Sequence, residues 1–169
     1  MTEEQQTEVL ADLWKADIDV QIFVRMGLTY GVRRGAMMGL SFGPQVNFLT
    51  GAIDFNEPGS RQTRKKRPVV PMTKSIRGDL EMVFKAKGRG QKVLARNTAA
   101  LFAAHMDRVG YGWVTPHVLK HTAITLMLRA GVRDSEVAKM TGTDLRTIHS
   151  VYRHHTLGEL ADIAEARGV

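Results

Sequence analysis

The sequence contains no cysteine. That excludes disulfides, thiolate metal sites and cysteine nucleophiles, and it fits a cytoplasmic protein. It also lacks any run of about 18 uncharged apolar residues, so nothing reads as a membrane span. The opening residues, Met1-Thr-Glu-Glu-Gln-Gln6, are acidic and polar, the opposite of a signal peptide's basic-then-apolar order. Internal repeats, low-complexity tracts and linkers are missing too. The 169 residues are therefore expected to form one domain, 1–169, and their 43% hydrophobic content argues against disorder.

Acidic residues are scarce relative to basic ones: 17 Asp and Glu against 24 Lys and Arg leave a net charge of +7. A polyanionic partner is expected. The cations cluster, with Arg61, Arg64, Lys65, Lys66 and Arg67 in one run and Arg77, Lys85, Lys87, Arg89, Lys92 and Arg96 following. No basic amphipathic helix with large aromatics accompanies them, which favours nucleic acid over a membrane surface.

Apolar spacing predicts helices over 8–15 and 18–30, the second with Ile22, Phe23 and Met26 inward and ended by Gly31. A short helix follows over 33–40. From 45 to 55 the period changes to two around Thr50-Gly51, which reads as a hairpin. Pro68-Val-Val-Pro71 reads as an edge strand, because its prolines exclude a central position. Beyond it the pattern is helical, near 74–86, 97–109, 116–130, 134–141, 144–153 and 157–167. Lys87-Gly-Arg-Gly90 reads as a flexible basic loop.

The densest chemistry lies in Thr115-Pro-His-Val-Leu-Lys-His-Thr122. Thr115 is a natural cap and Pro116 suits a first helical turn. Spacings of three and four then place His117, Lys120 and His121 on one helical face. Tyr152-Arg-His-His155 follows, close enough in the chain to fold back toward that face. An imidazole, a cation and a phenol in a basic protein suggest phosphodiester chemistry. Of the two histidines on this face, His121 reads as structural.

Three segments resemble motifs of the tyrosine recombinases, or phage integrases. Tyr30-Gly-Val-Arg-Arg-Gly-Ala-Met-Met-Gly-Leu40 resembles "TGLRxxExLxL". The stretch from Thr115 to Val132 resembles "HxLRHTxAT…L…AGV". Met140-Thr-Gly-Thr-Asp-Leu-Arg-Thr-Ile-His-Ser-Val-Tyr-Arg-His-His155 resembles "LGHxxxxTTxxYxHH", and Arg67-Pro-Val-Val-Pro71 stands near the "RxVPL" strand. The resemblance implies a mainly α (α+β) domain with a small three-stranded antiparallel sheet, like the tyrosine-recombinase catalytic domain, and with the family's N-terminal core-binding domain absent. It implies cleavage and rejoining of double-stranded DNA through a 3′-phosphotyrosyl intermediate, without metal or nucleotide cofactor. It further implies self-association on DNA in a mobile-element setting, with a full-length recombinase as an alternative partner.

Carried over by motif, Arg33 is a phosphate clamp, His117 the acid/base or orienting imidazole, and Tyr152 the nucleophile. Lys120 stands at the second arginine position, 32 residues before Tyr152, and Thr143 replaces a histidine or tryptophan nine residues before it. At the family's hairpin lysine, the proton donor, the nearest matches are Thr63 or Arg64, with Lys65 or Lys66 serving if the turn differs by one or two residues, and Ala36 stands where the family has a glutamate. Arg34, Arg61, Arg64, Lys66, Arg67 and Arg146 are expected to contact DNA. Two other readings stay open. One is a DNA-binding regulator that uses 133–154 as a helix-turn-helix, with Ala138, Gly142 and Ile148 at its small, turn and apolar positions and Arg146, His149 and Arg153 toward the groove. The other is an accessory protein docking through a helix over 157–166. Tyr152 separates them from the enzyme: buried in a regulator, reachable by phosphate in a recombinase.

Overall fold

The computed structural model describes residues 1–59 and 66–152. The chain enters through α1 (Glu3–Asp12), which starts five residues ahead of the expected 8–15. Thr2 and Gln5 form a reciprocal cap there: the Thr2 hydroxyl accepts from the Gln5 amide, and the Gln5 side chain accepts from the Thr2 amide. Two orphan donors are thereby satisfied, which holds a helix whose apolar face alone is weak. The end of the expected helix tightens into a 3₁₀ turn, Leu13–Lys15.

Helix α2 (Ile18–Tyr30) is the spine of the domain. Ile22, Phe23 and Met26 are fully buried, as their spacing predicts. Gly27 permits a close crossing, since a β-carbon there would lie 2.9 Å from Leu119 Cδ1. Helix α3 (Arg34–Gly39) follows after Gly31 ends α2 in a left-handed conformation. Next come β1 (Val46–Asn47), β2 (Ala52–Asp54) and β3 (Val69–Pro71). They form one antiparallel sheet in that order, with Val46 opposite Ile53 and Ile53 opposite Val70. The proline-flanked strand lies at the edge. Gln45, buried at the base of the hairpin, satisfies its whole amide: its oxygen accepts from Ser41 N and Oγ, and its nitrogen donates to the carbonyls of Asp54 and Asn56.

The rest is helical: α4 (Lys74–Lys87), α5 (Thr98–Arg108), α6 (Pro116–Arg129), α7 (Asp134–Thr141) and the short α8 (Leu145–Thr147). Helices α4, α5 and α6 all pack on α2. The expected helix over 144–153 is broken, because after α8 the chain widens into a π turn, Ile148–Tyr152. The architecture is thus mainly α with a small three-stranded antiparallel sheet. The expected helix over 157–167 lies outside the described residues.

Part of the basic run from Arg77 to Arg96 is engaged within the fold, while Lys85, Arg89 and Arg96 are exposed. Lys87 Nζ lies 3.0 Å from both carboxylate oxygens of buried Asp19 and also donates to the Val93 carbonyl. Lys92 donates to the Gly39 carbonyl and Arg77 pairs with Glu81. The 87–90 segment is not an unanchored loop. Gly90 N donates to the Phe42 carbonyl, Phe42 N to the Gln91 carbonyl and Val93 N to the Leu40 carbonyl, tying it to the start of the hairpin.

Candidate active site

Arg33 sits where α2 turns into α3. Its Nη1 donates to the carbonyl of Gly142 at 2.9 Å and to that of Lys66 at 3.1 Å. Both acceptors come from distant chain, and Gly142 is what lets them meet. It ends α7 with φ +60°, and a β-carbon there would stand 2.3 Å from the Lys66 carbonyl oxygen. Only glycine tolerates that conformation and that approach together.

Lys120 grips the same turn from the other side. Thr115 caps α6 by accepting from Val118 N, Pro116 fills the first turn, and Lys120 emerges one turn later. Its Nζ donates to the carbonyls of Gly31 at 2.6 Å and Thr141 at 2.8 Å. The side chain is buried. Burial first, and then the neighbouring Arg33 charge, bring its pKa from the ordinary lysine range down to about 7. An ammonium so placed exchanges its proton near neutrality, which an arginine does not.

The same helix presents His117 to solvent. An open pocket of about 270 Å³ is lined by Arg33, Arg34, Thr115, Pro116, His117 and Lys120. A neighbouring cavity of about 240 Å³ runs along Arg33, Gly35, Ala36, Lys66, Arg67, Pro68 and Thr141. Thr143 is buried at the pocket's rear turn, its hydroxyl 2.9 Å from that of Thr141. Arg34, Lys66 and Arg146 are exposed, and Arg67 lies 3.6 Å from Glu57. Arg61, Arg64 and Lys65 lie outside the described residues, as do Arg153, His154, His155 and the 157–166 segment.

Tyr152 packs against Ile124, Val137 and Ile148 and is only 5% exposed. Burial pushes its phenol up to about 12. Its hydroxyl lies 2.6 Å from His121 Nδ1, and His121 Nε2 lies 2.7 Å from His117 Nε2. His121, read from the sequence as structural, thus stands between the expected nucleophile and the expected acid/base. The available signal is the four-residue spacing of the two histidines, which brings their rings together on one helix face.

The turn over 141–143 bears on the helix-turn-helix reading. Its carbonyls are occupied by Arg33 and Lys120. The would-be recognition helix has three regular residues before the π turn, and His149 is drawn to Asp134 at 3.0 Å. Among the described residues no group of three or more His, Asp or Glu side chains is placed to hold a metal ion, and no helix is long and apolar enough to cross a membrane.

No family model matches the chain. Over 145 residues it is 28% identical to the virulence plasmid integrase pGP8-D of Chlamydia trachomatis serovar L2, and 27% identical to that of Chlamydia muridarum. Each match covers 82% of this chain and 44% of the relative, so the chain spans less than half the length of these integrases. Among solved structures, the XerA recombinase superposes with a TM-score of 0.74 at 18% identity, covering all of this chain and 65% of that one. The Tn1549 transposon integrase, in complex with circular intermediate DNA, gives a TM-score of 0.69 at 15% identity over 95% of this chain and 66% of that one. Sequence relatives and fold point the same way: the chain is similar in sequence to plasmid integrases and has the fold of the tyrosine-recombinase catalytic domain.

Proposed function

We propose that this chain cleaves and rejoins duplex DNA at specific sites through a phosphotyrosyl intermediate. The observation that carries the reading is the convergence of Arg33, Arg34, His117 and Lys120 on one open pocket, with Tyr152 joined to it through His121. A phosphodiester gathers negative charge on its non-bridging oxygens as the tyrosine attacks, so cations already fixed around it lower the barrier. Arg33 and Lys120 are fixed in this sense, each anchored to backbone carbonyls. Removing one such charged contact costs roughly 2–4 kcal/mol, two to three powers of ten in rate.

His117 orients the phosphate or moves a proton at the pocket wall. Thr143 supports the turn that carries the carbonyls and offers a neutral donor where relatives have a larger one. Tyr152 is the nucleophile, and Lys65, in the segment between β2 and β3, is the candidate proton donor for the leaving 5′ oxygen. Arg34, Arg61, Arg64, Lys66, Arg67 and Arg146 take the flanking phosphates. Self-association on paired DNA sites completes the exchange of strands.

The regulator reading draws support from one observation, the burial of Tyr152. Against it stand the carbonyls of the 141–143 turn, which serve the two pocket cations. The test uses a supercoiled plasmid carrying the DNA that flanks this gene, incubated without metal or ATP. Wild type should give detergent-resistant adducts and relaxed topoisomers, and Tyr152→Phe should give neither while binding DNA equally. Adducts at undiminished yield in Tyr152→Phe would sink the nucleophile assignment.

A further inference from the structure

The ring of His121 uses both of its nitrogens, and no motif role accounts for that. One edge meets the Tyr152 hydroxyl at 2.6 Å, the other meets His117 at 2.7 Å. The rings follow suit: His117 and His121 stand edge to face at 4.3 Å between centroids, and His121 lies 5.2 Å from the Tyr152 ring. Buried histidines ordinarily satisfy both ring nitrogens, so the identity of the partners carries the meaning. This one joins a packed phenol to an exposed imidazole that lines the pocket.

We infer that His121 is a further catalytic residue, which holds the Tyr152 hydroxyl and takes its proton during attack, passing charge to His117. The inference rests on the recombinase reading and adds to it a residue and a route. The direction of the chain follows from the packing. A phenol set among Ile124, Val137 and Ile148 keeps its proton at neutral pH, so it donates to His121 Nδ1. His121 then carries its own proton on Nε2 and donates to His117 Nε2, which leaves His117 Nδ1–H for the pocket.

Atoms balance along this route. Tyr152 Oη bonds to phosphorus as the bond from phosphorus to the 5′ oxygen breaks, the bonding pair leaving with that oxygen. The phenol proton passes to His121 Nδ1, the His121 Nε2 proton passes to His117 Nε2, and the 5′ oxygen takes the proton of the pocket's general acid, so that His117 ends as an imidazolium and that acid one proton poorer. The step neither consumes nor releases a proton. The need for it is quantitative: with a phenol pKa of about 12, roughly one tyrosine in 10⁵ is ionised at pH 7. Attack without a base waits on that rare form.

The experiment measures adduct formation on the same plasmid, alongside DNA retention, for wild type, His121→Ala, His121→Asn and Tyr152→Phe. His121→Asn keeps an acceptor for the phenol and cannot carry its proton. Both His121 variants should bind DNA as wild type does and form adducts about a hundredfold more slowly. Added imidazole should restore His121→Ala and leave Tyr152→Phe inactive. Wild-type rates in His121→Asn overturn the proposal, as does a loss in His121→Ala that imidazole fails to repair. A second arm needs no activity: the ¹⁵N resonance of His121 Nδ1 should shift in Tyr152→Phe, and an unmoved resonance overturns the pairing itself. A wild type that forms no adducts yet shows the shift overturns the recombinase reading and leaves the pairing intact.

Discussion

Replacing Lys120 with methionine should change how stability depends on pH. The folded lysine has its pKa lowered to about 7, chiefly by burial and then by Arg33, while the unfolded chain keeps an ordinary lysine near 10.4. Below pH 7 both states hold the proton, and the full cost of a buried charge weighs on the fold. Above pH 7 the folded state releases the proton and the unfolded state retains it, so stability rises with pH up to the unfolded value. Between pH 7 and pH 9 the gain from this one group is about 2 kcal/mol. Methionine has similar bulk and no proton to release. Urea unfolding followed by circular dichroism, at half-unit steps from pH 6 to pH 9, should therefore show wild type gaining about 2 kcal/mol on Lys120→Met over the upper two units. The offset at pH 6 carries no weight, because methionine also forfeits the bonds to Gly31 and Thr141. Two curves separated by a constant amount would refute the argument and return Lys120 to an ordinary, permanently charged state.

Gly142→Ala should destabilise the fold by about 3 kcal/mol, combining a left-handed alanine with overlap on the Lys66 carbonyl. Chemical denaturation measures the loss, and adduct yield at permissive temperature should fall with it because Arg33 loses its acceptor. Asp19→Asn leaves Lys87 and the Ala95 amide without their carboxylate and should cost about 3 kcal/mol, the low end for a broken buried pair because Lys87 is partly exposed. A shift in the urea midpoint without change in its slope is the expected signature.

Much of this arrangement is legible along the chain, for identifiable reasons. The α6 start follows from Thr115 and Pro116, and the edge position of β3 from its two prolines, since both depend on neighbours in sequence. The early start of α1 is legible too, in the Thr2 and Gln5 pair, although apolar spacing passes over it. The use of the basic run is not. Whether Lys87 faces solvent or Asp19 depends on a residue 68 positions away. The burial of Lys120 likewise depends on two carbonyls, and a carbonyl has no letter in a sequence. His121 falls between these cases: its spacing from His117 is visible, but its contact with Tyr152 appears only when the π turn brings the chain back.

The carbonyl anchors of Arg33 and Lys120 have a consequence for the order of events in the chain's life. Arg33 reaches its partner across 109 residues, and Lys120 spans 89 to Gly31. Neither cation is held in place until the junction of α2 with α3 and the turn that ends α7 have come together. On the proposed function, a half-made domain able to cut DNA would be hazardous, whether still emerging from the ribosome or partly unravelled by stress. On that reading the cations have no pivot until the α7 turn is seated, so assembly of the fold doubles as a safety catch.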